Sequence, residues 1–447
     1  MAEENKDKYR ATIGLEIHAE LATKSKMFCG CKNDPDEERP NINICPVCTG
    51  QPGTLPVINK QAVKNVLKIG VALGAKLADF TEWDRKNYFY PDIPKGYQIS
   101  QYDLPLAKNG KINFEVLGNE KTINIRRVHL EEDTAKMFHA TNETLIDFNR
   151  SGVPLMEIVT EPELRNAKVA KEMLIKLQQI IRYLGISECD MEKGSMRLEA
   201  NISLRKIGDK ELPNYKVEVK NLNSFRFVEK AIDYEIIRQK EILEKGERVV
   251  QETRGYNEAQ QKTYSQRIKE EAQDYRYFPE PDLPPIAWKE EDIERIKKEL
   301  PELPDQKKIR FGKEYQLSSY QANILVAEKA VAEYFDEAAK VGKKYKVAPI
   351  EIANTIINKK FNREEILPAD LVRILLEKQT QSKIPEEQLL KEIEMVISNN
   401  PEIVEEYRKG KTTSIEFLVG QVMKATKGLA DPVSARKLLL EKLQVDR

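Results

Sequence analysis

Strand periodicity, with side chains pointing alternately to two faces, organises four stretches in the first half of the chain. In residues 13–21, IGLEIHAEL, the apolar row Ile13, Leu15, Ile17, Ala19 and Leu21 backs a polar row of Gly14, Glu16, His18 and Glu20. In residues 196–204, MRLEANISL, the polar row is Arg197, Glu199, Asn201 and Ser203. Residues 124–136, NIRRVHLEEDTAK, enter as a strand and end in three acids: Glu131 and Asp133 share one face and Glu132 takes the other. Such a triplet is either a solvated strand end or part of a cation site, of which one face can supply only a portion. Residues 153–160, VPLMEIVT, are apolar on both sides except for Glu157, which shares its face with Leu155 and Val159. A carboxylate there is costly unless it meets a cation or donors. Either an arginine such as Arg150 pairs with it structurally, or it is kept for chemistry.

Helical spacing marks residues 61–77, where Gly70 and Gly74 suggest close packing on a sheet, then residues 163–184, which follow Pro162 and stop at Gly185, and residues 225–245. Further strands are expected through residues 111–127 and 144–160, and YKVEVKNLNSFRF sets Lys216, Glu218 and Lys220 on one face. Without a regular strand–helix alternation the expected fold is α+β with a largely antiparallel sheet. From about Ala287 onward the spacing is helical and punctuated by Pro301, Pro304, Pro349, Pro368 and Pro385. We therefore expect a mixed domain over residues 1–290, a helical domain over 291–370 and a helical tail over 371–447. In the tail, Phe417, Leu418, Val422 and Met423 make an apolar stripe, with Lys424, Lys427, Arg436 and Lys437 beyond it. Those cations are either solvated or grip an RNA backbone.

A chain of 447 residues exceeds one ordinary core, which agrees with several domains. Lys+Arg and Asp+Glu balance at 73 each, so any phosphate contact must come from a local patch. The N-terminus, MAEENKDKYR, has no apolar segment, and no run approaches the ~18 apolar residues of a membrane span. The expectation is a soluble cytoplasmic protein with no membrane association.

Four of the five cysteines fall in residues 29–48, as Cys29 and Cys31, then Cys45 and Cys48. Two close-set thiol pairs flanking a loop have the spacing of a tetrahedral zinc site, a structural one because four thiolates leave no open position. Cys189 stands apart as a small core residue. Residues 84–106, DRKNYFYPDIPKGYQISQYDLPL, interleave tyrosines with cations, and residues 274–278 repeat the pattern; both suit base stacking or a rigid loop equally. No phosphate-binding loop is present, since Gly410-Lys411-Thr412 lacks the first glycine, position 405 being Glu. No dinucleotide fingerprint, Ser-Ser-Lys amidase signature or Cys-His glutaminase pair appears either. ATP, if used, must be held through carboxylate-bound magnesium and polar side chains.

Taken together, IGLEIHAEL, DRKNYFYPDIPKGYQISQYDLPL, HLEEDTAK, NRSGVPLMEIVTEP, GSMRLEANISLR, KNLNSF, DYRYFPEPDLPP and FLVGQVMKATKG resemble the B subunit of the aspartyl/glutamyl-tRNA amidotransferases, over nearly the whole chain. The resemblance implies that residues 1–290 form a cradle acting as a kinase, followed by a helical domain and a tail that grips tRNA. In that family ATP phosphorylates the side-chain carboxylate of glutamate or aspartate mischarged on tRNA(Gln) or tRNA(Asn). Ammonia from a separate amidase (A) subunit then displaces the phosphate, and a small C subunit completes the assembly. The resemblance makes Glu16, His18, Glu131, Glu132, Glu157 and Glu199 the magnesium candidates, with Glu157, Glu132 and His18 as catalytic residues. His18 is unusual among them, because magnesium prefers oxygen. It further implies that Lys86, Tyr88, Arg197, Lys220 and Asn221 contact phosphate or the aminoacyl end, and that zinc on Cys29, Cys31, Cys45 and Cys48 stays outside the reaction. The competing expectation is a zinc-stabilised tRNA-binding scaffold whose acids only build structure.

Overall fold

The computed structural model describes residues 8–268, 274–358, 363–381 and 384–445. The N-terminal run through Asp7 lies outside the described residues, as do residues 269–273 before the second tyrosine–arginine segment. Two compact units emerge, Met1–Pro304 and Asp305–Arg447.

The first unit is built on a nine-stranded sheet. Its strands are β1 (Tyr9–Glu20), β2 (Lys76–Leu77), β3 (Ala107–Val116), β4 (Asn119–Glu132), β5 (Pro154–Thr160), β6 (Met196–Lys206), β7 (Val217–Leu222), β8 (Glu252–Asn257) and β9 (Lys262–Ile268). They lie in the order β9-β8-β7-β6-β1-β5-β4-β3-β2. Every pairing is antiparallel except β7 with β8, so the α+β expectation holds. The strand read as IGLEIHAEL thus sits in the middle of the sheet.

One sheet face is apolar and is covered by helices α1 (Lys60–Ala72), α2 (Ala167–Leu184) and α3 (Phe225–Glu244). Ile13, Leu15 and Ile17 of β1 share a core with Leu67 of α1, Leu177 of α2 and Val228 of α3. Each such buried side chain contributes roughly 1.5–3 kcal/mol, and their regular alternation is what directs the acids to the opposite face.

Local chemistry sets the element ends. Asn59, Asn166 and Ser224 cap α1, α2 and α3 by accepting backbone N–H groups of the first turn. Gly185 ends α2 at φ 66°, as its position suggests. Three expected elements divide, and one of them, the strand expected over residues 144–160, becomes a short strand Thr144–Asp147 paired with Lys136–His139, then a turn, then β5. The helix expected over residues 61–77 stops at Ala72, Gly74 turns the chain at φ 59°, and Lys76–Leu77 pair with β3. Close packing belongs to Gly70 alone, where a Cβ would fall 2.6 Å from Leu77 Cδ2, while nothing lies within 4 Å of one at Gly74. The single strand expected over residues 111–127 is a hairpin, β3 and β4, turned by Leu117 and Gly118 at φ 51° and 78°.

The second unit is helical among its described residues, and Pro349, Pro368 and Pro432 each stand first in a helix, where a missing N–H costs nothing. Helix Ser414–Ala425 buries Ile415, Leu418, Val419 and Val422. Phe417, expected in that stripe, is 47% exposed.

Candidate active site and metal centres

The polar face of the sheet gathers its acids through strand register. Across β6, β1, β5 and β4, Arg197 stands opposite His18, His18 opposite Glu157, and Glu157 opposite His129. In the neighbouring row Glu199 stands opposite Glu16. Residues two apart on a strand share a face and lie ~7 Å from each other, so these rows place two ligand groups side by side.

The first group is His18, Glu131 and Glu157, whose ligand atoms all lie within 4.8 Å of one another. Glu157 is buried and takes His129 Nε2 at 3.2 Å and His18 Nε2 at 3.4 Å, both on Oε2. Against the burial that would raise it, the two histidines hold Glu157 well below the usual carboxylate range. Arg150 is not its partner. That guanidinium donates to the carbonyls of Thr134 and Ala135 and lies 3.8 Å from Asp133. Glu131 accepts Ser100 Oγ–H at 2.9 Å and is also held below its ordinary range, burial being outweighed by His129 and Lys86. Burial opposes charge on His18 as well, yet the hydrogen bond to Glu157 and the surrounding acids raise it to about 9.

The second group is Glu16, Glu199 and Glu218, again within 4.8 Å. Glu16 is raised from its ordinary value, first by burial and then by the charges of Glu157, Glu199 and Glu218. Asn201 donates to Glu16 at 2.8 Å, Lys220 lies 3.1 Å from Glu199 and 3.7 Å from Glu218, and Thr253 donates to Glu218 at 2.9 Å. Glu16 also lines a cavity of about 370 Å³ that continues past Gly14, Thr12, Ser203 and Tyr215. Gly14 leaves the floor open, since a Cβ there would meet nothing closer than Pro162 at 3.7 Å.

Beside the first group, Lys86 lies 5.1 Å from the Tyr275 ring and 6.0 Å from the Tyr88 ring. Burial works against its charge, but Glu131 and Glu157 keep its pKa above the ordinary lysine value. Tyr88 and Tyr275 meet edge to face at 6.2 Å, and Tyr277 stacks on Tyr102 at 4.5 Å. The two tyrosine-rich segments, far apart in sequence, therefore form one aromatic cluster.

Other expected residues separate. Glu132 does not join the acids: as its position in the alternation requires, it faces the other side, ion-paired with Lys95 and accepting the Ile99 N–H at 2.9 Å. Arg197 stays on the polar face, paired with Asp133. Asn221 is exposed at φ 61° and belongs to neither group. His129 and Glu218 were missed, although both carried a signal: each stands two positions from a chosen residue or lysine on the same strand face.

On the zinc loop the four cysteine sulfurs lie within 4.8 Å of one another, a donor set that could hold zinc. Cys48 is held down to about 5, first by Cys29, with burial opposing and Lys26 assisting. Lys26, fully buried, lies 3.8 Å from Cys48 Sγ and donates to the Phe148 carbonyl at 3.1 Å. No described helix is long and apolar enough to cross a membrane.

A sheet whose polar face carries two acid-rich ligand groups next to a cavity has the layout of a catalytic domain that could hold cations. Residues 11–294 match the model of the GatB/GatE catalytic domain, and residues 349–443 that of the GatB domain. The B subunit of the aspartyl/glutamyl-tRNA(Asn/Gln) amidotransferase of Caldicellulosiruptor saccharolyticus is 46% identical, covering 98% of this chain and 99% of that protein. Those of Thermodesulfovibrio yellowstonii, at 45%, and Persephonella marina, at 46%, are as fully covered. The chain belongs to the family of aspartyl/glutamyl-tRNA(Asn/Gln) amidotransferase B subunits. Membership in a catalytic-domain family favours the enzyme over the scaffold.

Proposed function

We propose that this chain, as one subunit of a tRNA-dependent amidotransferase, uses ATP and magnesium to activate the side-chain carboxylate of Glu-tRNA(Gln), Asp-tRNA(Asn), or both. A carboxylate oxygen attacks the γ-phosphorus and ADP leaves. Ammonia then adds to the acyl carbon of the acyl phosphate, phosphate departs, and loss of a proton leaves the amide. Ammonia comes from the amidase (A) subunit, with the small C subunit in the same cytoplasmic assembly, and the tail at 371–447 binds the tRNA.

The observation that carries this reading is the pair of ligand groups on one sheet face, one of them opening into the cavity beside Glu16. Glu16, Glu199 and Glu218 offer the oxygen-only donors a hard cation prefers, and the first group adds two carboxylates beside one imidazole. Glu16 is pushed up first by burial and then by its acidic neighbours, whose negative charge a cation would neutralise, and Glu157 and Glu131 are ionised at converging positions. Magnesium, when bound, neutralises phosphate oxygens and aligns the in-line transfer. The cavity would take the nucleoside, with Gly14 admitting it and Tyr215 along its wall. Glu16, Glu199 and Glu218 would hold a cation at the phosphates, and His18, Glu131 and Glu157 one at the acceptor carboxylate. Lys86, its ammonium near the Tyr275 and Tyr88 rings, would meet phosphate or acceptor oxygen. Lys220 and Arg197 already answer acids, so each would share its charge with an incoming anion.

The test combines the chain with the A and C subunits, γ-labelled ATP, magnesium and Glu-tRNA(Gln), with glutamine and ammonia withheld. The expected result is ADP and label on the aminoacyl group, both absent with Glu157→Gln, whose tRNA binding is unchanged. Tight tRNA binding without ADP, or full turnover by Glu157→Gln, would sink the proposal.

A further inference from the structure

His129 is 2% exposed and stands directly across the strand pair from Glu157, yet it is not one of the converging ligands. Its Nε2 lies 3.2 Å from Glu157 Oε2 and 3.7 Å from Glu131 Oε2. Its Nδ1 is buried and has no hydrogen-bond partner among the described residues. A proton on Nδ1 alone would leave that donor unmet and face two carboxylates with a lone pair. An unmet buried donor is costly. The ring therefore carries a proton on Nε2, and it does so whether neutral or cationic.

Glu157 Oε2 is the meeting point of two imidazoles. An imidazole that coordinates a cation through Nε2 has no proton there to donate, so it would give up that bond. If His18 turns its nitrogen to the cation, His129 is the donor left to Glu157. Glu131 is steadied similarly, its Oε2 held by Ser100 and close to the same His129 nitrogen. Both carboxylates are thus gripped at Oε2, leaving Oε1 to turn toward a metal.

We propose that His129 is a positioning residue of the first cation site: its Nε2–H fixes Glu157 Oε2 while Ser100 holds Glu131 Oε2, so that the two carboxylates present their other oxygens together. This rests on the functional reading above, which makes that group a cation site. The role belongs to a hydrogen bond, and histidine is needed only for donor reach; it does not touch substrate or metal.

The test measures binding of Mn2+, as a spectroscopic stand-in for Mg2+, to the assembled enzyme without nucleotide. His129→Phe keeps a ring without a donor and is expected to weaken the ion about 10–100-fold, the usual cost of losing a partner to a ligand. His129→Gln, whose amide N–H reaches the Nε2 position, is expected to restore binding to within a few-fold. The Mg2+ concentration giving half-maximal ATP turnover should move in parallel, with turnover recovered at high Mg2+. Wild-type affinity in His129→Phe, or His129→Gln no better than His129→Phe, would overturn the proposal. Should His129→Phe fail to fold, His129→Asn replaces it, its amide too short to reach Glu157; Asn binding as tightly as Gln overturns it equally. Glu157→Gln separates the two readings. If it leaves Mn2+ binding intact, the cation site itself is wrong; if it loses Mn2+ while His129→Phe does not, only the role of His129 fails.

Discussion

At the scale of single residues, burial converts ordinary side chains into committed ones. Lys26 has no exposed surface, and a buried ammonium is tolerated only against negative charge. Four thiolates around a divalent ion would leave a net charge of about −2, and Lys26, beside Cys48 Sγ, would balance part of it. Lys26→Met should therefore lower zinc affinity, by roughly tenfold or more, in competition with a chromophoric chelator. Unchanged affinity would mean that the Phe148 carbonyl, not the thiolate cluster, is what Lys26 is there for. In the sequence Lys26 looked like any surface lysine, because nothing local marks a residue buried by contacts 22 and 122 positions away. The cysteines were legible, since spacing carries their chemistry. Glu132 is the instructive opposite. Alternation alone turned it away from Glu131, while the family resemblance had put it among the magnesium candidates, and the structure follows the alternation.

At the scale of elements, α3 meets β8 and β9 through a buried charge network in addition to its apolar contacts with the core. Glu235 on α3 has no exposed surface and accepts Arg238, Gln239 and the Thr263 hydroxyl, with Arg254 of β8 3.0 Å away. Removing one member leaves buried charge uncompensated, so Glu235→Ala should cost about 3–5 kcal/mol in urea unfolding. A loss under about 1 kcal/mol would mean that solvent reaches the pair. In the helical unit, Asp336 accepts from Arg310, Tyr315 and Lys340. Burial would raise Asp336, but these donors hold it well below its ordinary value. Its folded pKa being the lower one, the stabilisation is present above the unfolded value of about 4 and is lost as pH falls from there. The helical unit should lose thermal stability below about pH 4, and Asp336→Asn should be less stable at pH 7 but flatter across that range. An equally steep loss in Asp336→Asn would assign the acid sensitivity to other carboxylates. None of these pairings was visible from periodicity. Alternation tells which face a residue takes, so the polar rows of β1 and β6 were legible; it does not tell which strand lies alongside. The β3–β4 hairpin turn could have been read, since Leu117-Gly118-Asn119 breaks the alternation with a glycine, whereas the β1–β5 and β1–β6 pairings are long-range and have no local signature.

At the scale of the whole molecule, cores decide what can stand alone. The large core runs from Ala11 to Ile296, with Leu300 and Leu303 against it, all inside Met1–Pro304. A separate cluster from Leu389 to Leu443 lies inside Asp305–Arg447. The change from mixed to helical spacing near Ala287 was legible because period and proline punctuation both shift there; that the first helix after the change, Glu290–Lys298, packs back onto the first core was not. Its Ile296 is buried there, and Glu299 just beyond it pairs with Lys64 and Lys68 of α1. A fragment ending at residue 290 would strip that helix from α1 and bare the apolar surface beneath. We therefore expect residues 1–304 to fold, with one cooperative thermal transition matching one of two in the full chain, and residues 1–290 to melt lower and bind a hydrophobic dye. The 1–304 fragment should retain Mn2+ binding, because both ligand groups lie on the sheet, and should lose tRNA affinity with the tail. If 1–290 were as stable as 1–304, the helix Glu290–Lys298 would be a passenger on the core. If 1–304 bound tRNA as tightly as the full chain, the cradle would recognise the acceptor end unaided, and the basic helices of the tail would need another explanation.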